Sequence, residues 1–289
     1  MDPLDEIKRQ IEASRIIYNT SPIEDFEGLS PADMRYILYD PFSIDSPFKL
    51  KTQIPDNILD QIPMFIQVEY LLNRINDLGE IKLTATGALP THLVKELYSQ
   101  GFIKDYGIEK GYTKLFGEAS CLPVHLTRII VEISGFAKKK KGKLSLTNTW
   151  KNKLISKNRQ DIFFQIFSSY SQKFNWGYLD SYPSQLTGQM GFAFTLLLLS
   201  KYGKTERPDK FYSDKYLKAF PKLLLDFNTG YFTDKSDDHF QDCYSYRTFD
   251  RFLGYFNLIE SRTEGKYTLD KKKFIKKTDL FDHIVFFDN

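Results

Sequence analysis

Three segments of this chain open on a proline and close at a glycine, and between those marks the apolar residues recur at helical spacing. Pro63 begins a stretch in which Phe65, Ile66, Val68, Leu71, Leu72 and Ile75 form one stripe, ended by Gly79. Pro90 begins a second that stops before Gly101, and Pro123 a third that stops at Gly135. Proline has no N–H to lose in a first helical turn, and glycine takes the left-handed conformation just past a last one. The pattern predicts helices over 63–78, 90–99 and 123–134. After the first, Ile81-Lys82-Leu83-Thr84 alternates as a short strand. After the third come Phe136-Ala137, a turn over Lys138–Lys143, and Leu144-Ser145-Leu146 as a second alternating run. Thr147 reads as the N-cap of a helix over 148–157. Helices, short strands and a basic turn in this order are those of a winged helix. Residues 57–158 are therefore expected to form a winged-helix-like domain with a basic wing.

The flanks read differently. Residues 1–18 suit an amphipathic helix, with Leu4, Ile7, Ile11, Ile16 and Ile17 near one face. Pro22, Pro31, Pro41, Pro47 and Pro55 then break up residues 19–56. Residues 1–56 are expected to be a helical and irregular arm. Residues 159–289 are expected to be a helical block ending in a second winged-helix-like unit. Ile162 to Phe174, Met190 to Leu199 and Tyr216 to Leu225 supply helices, the last kinked at Pro221. Arg247 to Phe256 reads as another, followed by Leu258-Ile259-Glu260, a turn over Ser261–Gly265 and a strand Lys266–Leu269. The expected class is mainly α with minor β: winged-helix-like domains with small β-wings plus a helical block.

Charge narrows the function. The formal net charge is only +3, but residues 138–160 hold nine basic and no acidic side chains, whereas residues 1–60 hold twelve acidic and six basic. Lysines on a turn neutralise phosphates by counterion release without reading sequence. The expected nucleic-acid-binding residues are Lys138, Lys139, Lys140, Lys141 and Lys143, with Lys151 and Lys153 on the next helix and Arg128 on the helix before. His125 accompanies Arg128, and Thr91, His92 and Lys95 are weaker candidates. The bland reading of the same lysines is a hairpin tip kept soluble by charge. Non-enzymatic binding, of a regulatory kind and with double-stranded DNA as partner, is the leading expectation. A protein-interaction module on the same folds is the alternative.

Other chemistries find less support. Two cysteines, Cys121 and Cys243, exclude a disulfide scaffold. Asp56, Glu80 and Lys82 match the loose pattern of a metal-dependent nuclease, but a helix stands where that fold wants strands. Asp237, Asp238, His239, Asp242 and Cys243 are polar, yet His239 and Cys243 alone fall short of a four-ligand zinc site. No Gly-x-Ser-x-Gly elbow and no phosphate-binding glycine loop occurs. No cofactor or catalytic residue is expected. The first residues, Met1 to Arg9, lack a basic leader and an apolar core, and the apolar run Gly191 to Leu199 is too short to span a bilayer. A cytoplasmic protein without a membrane partner is expected.

Leu83-Thr84-Ala85-Thr86-Gly87-Ala88-Leu89-Pro90, Gly135-Phe136 through Leu146-Thr147, and Leu217-Lys218-Ala219-Phe220-Pro221 resemble stretches of a family of uncharacterised bacterial proteins with winged-helix-like segments. That family is related to the non-catalytic part of passenger-type proteins carried on plasmids and transposons. The resemblance spans most of residues 60–275 and rests on structural rather than catalytic motifs. It implies a bacterial cytosolic protein with no established activity, and it transfers no functional residue.

Overall fold

Helices carry most of the chain, and its short strands pair antiparallel in sheets of two or three. The structure is a computed structural model that describes residues 3–156, 158–228, 236–265 and 272–288. Its described strands are β1 (Phe48–Leu50), β2 (Ile81–Lys82), β3 (Ala137–Lys140), β4 (Lys143–Leu146), β5 (Arg207–Pro208), β6 (Ile259–Glu264), β7 (Lys272–Lys277) and β8 (Val285–Phe287). The chain divides into two units: Thr52–Asn175 with Phe252–Leu258, and Met1–Lys51 with Trp176–Arg251 and Ile259–Asn289.

In the 52–175 unit the proline and glycine signals act as expected. Helices run Pro63–Leu78, Thr91–Ser99 and Leu122–Ile133. The first and third bury Val68, Leu72, Val124 and Ile130 completely. One polar group crosses their contact: the Gln67 amide donates to Pro123 O at 3.2 Å and to Thr127 Oγ1 at 2.6 Å. The sheet order is β2-β4-β3. Thr147 caps the helix Asn148–Ser156 by accepting from Trp150 N at 3.3 Å. The buried Trp150 ring meets Phe136 edge to face at 5.2 Å. Phe167, on the helix Arg159–Ser168, packs against both Phe252 and Phe256, at 5.4 and 5.2 Å.

One sequence expectation is corrected here. The turn expected over Lys138–Lys143 shrinks to two residues, Lys141 and Gly142, with φ of +50° and +71°. Positive φ at both central residues is the tight hairpin turn whose twist suits the flanking strands. Lys138, Lys139 and Lys140 are consequently strand residues. Lysine is a poor strand former, but cross-strand pairing overrides so weak a preference.

The other unit repeats the order of elements. The helix Phe192–Tyr202 is followed by β5, the helix Asp209–Ala219, a further helical stretch, and the hairpin β6–β7, with sheet order β5-β7-β6. β1 pairs with β8 in a separate two-stranded sheet. Two expectations shift. Residues Ser261 to Glu264 are strand, paired with Lys272 to Ile275, rather than turn; the strand expected at Lys266–Leu269 lies outside the described residues. The helix ends at Ala219 instead of kinking through Pro221, which opens the 3-10 segment Pro221–Phe227. The helix Pro3–Thr20 forms, with Leu4, Ile7, Ile11, Ile16 and Ile17 exposed.

A buried ion pair organises the loop before Phe192. Arg247 and Asp180 have no exposed side-chain surface, and the guanidinium donates to both carboxylate oxygens, at 2.6 and 3.0 Å. Arg247 also donates to Thr187 O at 3.2 Å, and Arg251 to Tyr178 O at 2.8 Å. Removing one member strands the other charge away from water. Asp180→Ala is expected to lower the stability of this unit by about 3–5 kcal/mol, read as a lower urea midpoint.

Candidate nucleic-acid interface

The register of β4 with its two neighbours decides where the lysines go. Directly opposed residues share a face of an antiparallel sheet. Ile81 opposes Leu144, and Ala137 opposes Leu146; all four are buried. The alternate positions must then point outward. Lys82 opposes Lys143 and Lys140 opposes Lys143, so three lysines form a row across all three strands. Lys138, opposite Ser145, lies on the same face one step along. With strands about 4.8 Å apart, the row crosses about 10 Å of sheet.

Like charges set opposite one another destabilise a sheet. Part of that cost is offset by Glu80, which accepts from Lys143. Lys139, opposite Leu144, leaves the group for the other side of the sheet, where it is still exposed and its ammonium is 3.4 Å from Gly87 O. A Cβ on Gly87, whose φ is +78°, would collide with that ammonium. Lys82, Lys138, Lys140 and Lys141 are exposed, and among the described residues no carboxylate pairs with them. Lys151 is exposed on the next helix. The Lys153 side chain and Lys157 lie outside the described residues.

Edge protection is the competing explanation for lysines on such a hairpin, since β3 is an edge strand and charge there deters further pairing. Lys143, on the central strand, falls outside that explanation. The β6–β7 hairpin is a useful contrast. Its outer lysines oppose carboxylates, Lys276 across from Glu260 and Lys272 across from Glu264, and Arg262 on the same face pairs with Glu206 and Glu264. The two strands of that hairpin are also cationic in sum, but each of their basic side chains lies opposite or bonded to a carboxylate, Lys273 with Asp250 and Lys277 with Asp282, whereas among the described residues the lysine row of the other sheet has only Glu80.

Arg128 sits elsewhere. Its side chain is 13% exposed, and it donates to Glu118 Oε1 at 2.7 Å and to Glu132. Glu118 is fully buried and gathers further partners around it. It takes His125 Nδ1 at 2.5 Å and the Leu89 amide at 2.5 Å, besides Arg128. Burial pushes the Glu118 carboxyl up, but these donors outweigh it and hold it below its ordinary 4.5. Arg128 is likewise held on the protonated side: burial opposes its charge, and Glu118 and Glu132 overcome that. The pair fastens the helix Leu122–Ile133 to the 84–91 segment. Thr91, at the start of its helix, donates to Phe116 O at 3.3 Å; His92 and Lys95 are exposed beside it.

The remaining sequence candidates are dispersed. Asp56 pairs with Arg159 at 3.4 Å and Glu80 with Lys143. His125 faces Glu118, while the Cys121 thiol is pushed up to about 11 by burial. Burial likewise holds the Cys243 thiol at about 12. Among the described residues, no three His, Cys, Asp or Glu side chains stand where they could hold a metal ion. No described helix is long and apolar enough to cross a membrane.

Sequence reasoning missed Lys82 as a member of the cationic face. Its short strand was legible, but the pairing that brings residue 82 beside residue 143 was not.

This geometry has two measurable consequences. Lys140→Thr removes a like-charge opposition and adds a strand former, so it should stabilise the hairpin by about 0.2–1 kcal/mol at low salt. The gain should shrink in about 1 M salt, where charges are screened within about 3 Å; thermal unfolding at both salts reads it. Glu118 is less protonated folded than unfolded, so its contribution is complete above about pH 4.5 and is lost as pH falls through its lowered folded value. Glu118→Gln should lose stability at neutral pH and show a weaker acid dependence below pH 4.5, measured by urea unfolding across pH.

A family model described as the Y4jL N-terminal domain matches residues 60–160. Searches of curated proteins and of solved structures found no match. The matched stretch holds the whole β2-β4-β3 sheet, its lysine row and the Glu118 network, so the region of this chain that is similar to a known domain is the region that carries the candidate interface.

Proposed function

We infer that this chain binds nucleic acid without catalysing a reaction on it, and that the outer face of the β2-β4-β3 sheet makes the phosphate contacts. The observation that carries the reading is the row Lys82, Lys143, Lys140, continued by Lys138 and the turn residue Lys141. Opposed lysines cost the fold stability, and an anionic chain lying along them removes the repulsion and releases condensed counterions. The order of elements supports a winged-helix reading. Helix, strand, two helices and a hairpin, with the first strand paired to the last, is the arrangement in which the hairpin is a wing. In this reading the wing does the binding and the third helix is structural, since Arg128 is occupied by Glu118 and Glu132. A regulatory role in the bacterial cytoplasm and a place in the passenger-type family belong to the same proposal.

Fluorescence anisotropy tests it, with a labelled duplex bearing a single-stranded tail, so that paired and unpaired phosphates are both offered. The logarithm of affinity should fall linearly with the logarithm of salt concentration. Changing Lys138, Lys140 and Lys141 to Ala should reduce the slope by about 0.7–0.9 for each phosphate left without its lysine. Lys276→Ala, across from Glu260 on the charge-paired β6–β7 hairpin, should leave it unchanged. Absence of binding at low salt, or a slope indifferent to the three substitutions, would overturn the reading.

A further inference from the structure

The loop between the helices Thr91–Ser99 and Leu122–Ile133 exposes three aromatic rings within eleven residues: Tyr106 at 66%, Tyr112 at 77% and Phe116 at 73%. Rings left in water to this degree are ordinarily mobile, but this loop is tied down. Asp105 caps the short helix Tyr106–Glu109 by accepting from Ile108 N at 3.2 Å. The Tyr98 hydroxyl accepts from Asp105 N at 3.2 Å and donates to Glu109 at 2.8 Å. Gly107 O accepts from both Tyr112 N and Thr113 N, at 2.8 and 3.0 Å. Ser120 Oγ accepts from Phe116 N and Gly117 N at 3.0 and 3.1 Å. The backbones carrying the rings are therefore fixed, and Tyr106 and Tyr112 already lie edge to face at 6.2 Å.

The charges around the rings select the partner. Glu109 is occupied by Tyr98 and Lys104, and Asp105 by the helix amide. Lys110 and Lys114 are exposed, Lys110 with its ammonium 6.0 Å from the Tyr106 ring centre. The loop offers flat apolar faces with cations beside them. A partner that matches is anionic and carries flat rings of its own. The 84–91 segment joins this loop to the lysine-bearing hairpin, through Lys139 on the side of the sheet opposite the row. Lys139 touches Gly87, Thr91 touches Phe116, and four residues of chain span at most about 14 Å.

We propose that Tyr106, Tyr112 and Phe116 stack on unpaired bases, so that the nucleic acid this chain takes contains a single-stranded stretch. The proposal rests on the phosphate-binding reading above and names its substrate class. Paired bases present only their edges in the grooves, whereas an unpaired base exposes a face to stack on, whatever its sequence.

The test compares a labelled oligothymidine of about 20 nucleotides with a blunt duplex of the same length, by anisotropy at constant salt. The single strand should bind more tightly than the duplex. Tyr112→Ala, and the triple variant with Tyr106→Ala and Phe116→Ala, should weaken single-strand binding about 5- to 150-fold per ring. The salt slope should not change, because every phosphate keeps its lysine. Tyr106→Phe and Tyr112→Phe keep the rings and should bind like the parent chain. Single-strand affinity unchanged by Tyr112→Ala and by the triple variant would overturn the proposal. So would a blunt duplex bound as tightly as the single strand. In both cases a salt slope that still responds to Lys138, Lys140 and Lys141 leaves the phosphate reading standing. Failure of the parent chain to bind either probe would remove both.

Discussion

β4 pairs with a neighbour on each side, and the chemistry of the 52–175 unit depends on that register. Leu144 and Leu146 are buried, opposite Ile81 and Ala137. A slip of one residue would turn the leucines to solvent and the lysines to the core, so burial locks the pairing. With the register fixed, Lys143 can only face outward, between Lys82 and Lys140. The cationic face is thus enforced by the apolar face behind it. Its positive charge is concentrated by geometry from a chain whose formal charge is only +3.

Glu118 ties the rest of the unit to that sheet. A buried carboxylate needs donors on all sides, and here they come from the Leu89 amide on one segment and from His125 and Arg128 on one helix. The segment that supplies Leu89 also supplies Gly87, under the Lys139 ammonium, and Thr91, against Phe116. One buried charge accordingly fixes the lysine hairpin, the aromatic loop and the helix between them relative to one another. Such preorganisation lowers the entropy lost on binding. It also accounts for Arg128: its position on the helix suggested a groove contact, but its partner is inside the protein.

Local signals carried much of the fold. The proline starts and glycine stops placed three helices of the 52–175 unit, Thr147 placed the cap of a fourth, and alternation placed the leucines of β4. These features were legible because each depends on a few neighbouring residues. The features that stayed hidden depend on distant ones. Lys138 to Lys140 read as a turn because lysine is a weak strand former, and only pairing with residues 143–145 makes them a strand. Lys82 joined the face across a separation that no periodicity reports. Glu118 was an ordinary acidic residue in sequence, and the loop it anchors held no helix or strand pattern that would have singled out Tyr106, Tyr112 and Phe116. In the other unit, Arg247 and Asp180 gave no signal of their mutual burial, since charge in a sequence reads as surface.

The central claim is that one face of one sheet meets the phosphates. Lysine acylation footprinting tests it most directly: the chain is labelled with an acetylating reagent with and without a tailed duplex, and the modified positions are read by mass spectrometry. The account predicts protection of Lys82, Lys138, Lys140 and Lys141 together, with Lys272 and Lys276, which lie opposite carboxylates on the β6–β7 hairpin, labelled equally in both states. Protection of Lys272 and Lys276 with the β2-β4-β3 face left reactive, or no protection on any hairpin while the nucleic acid is bound, would contradict it.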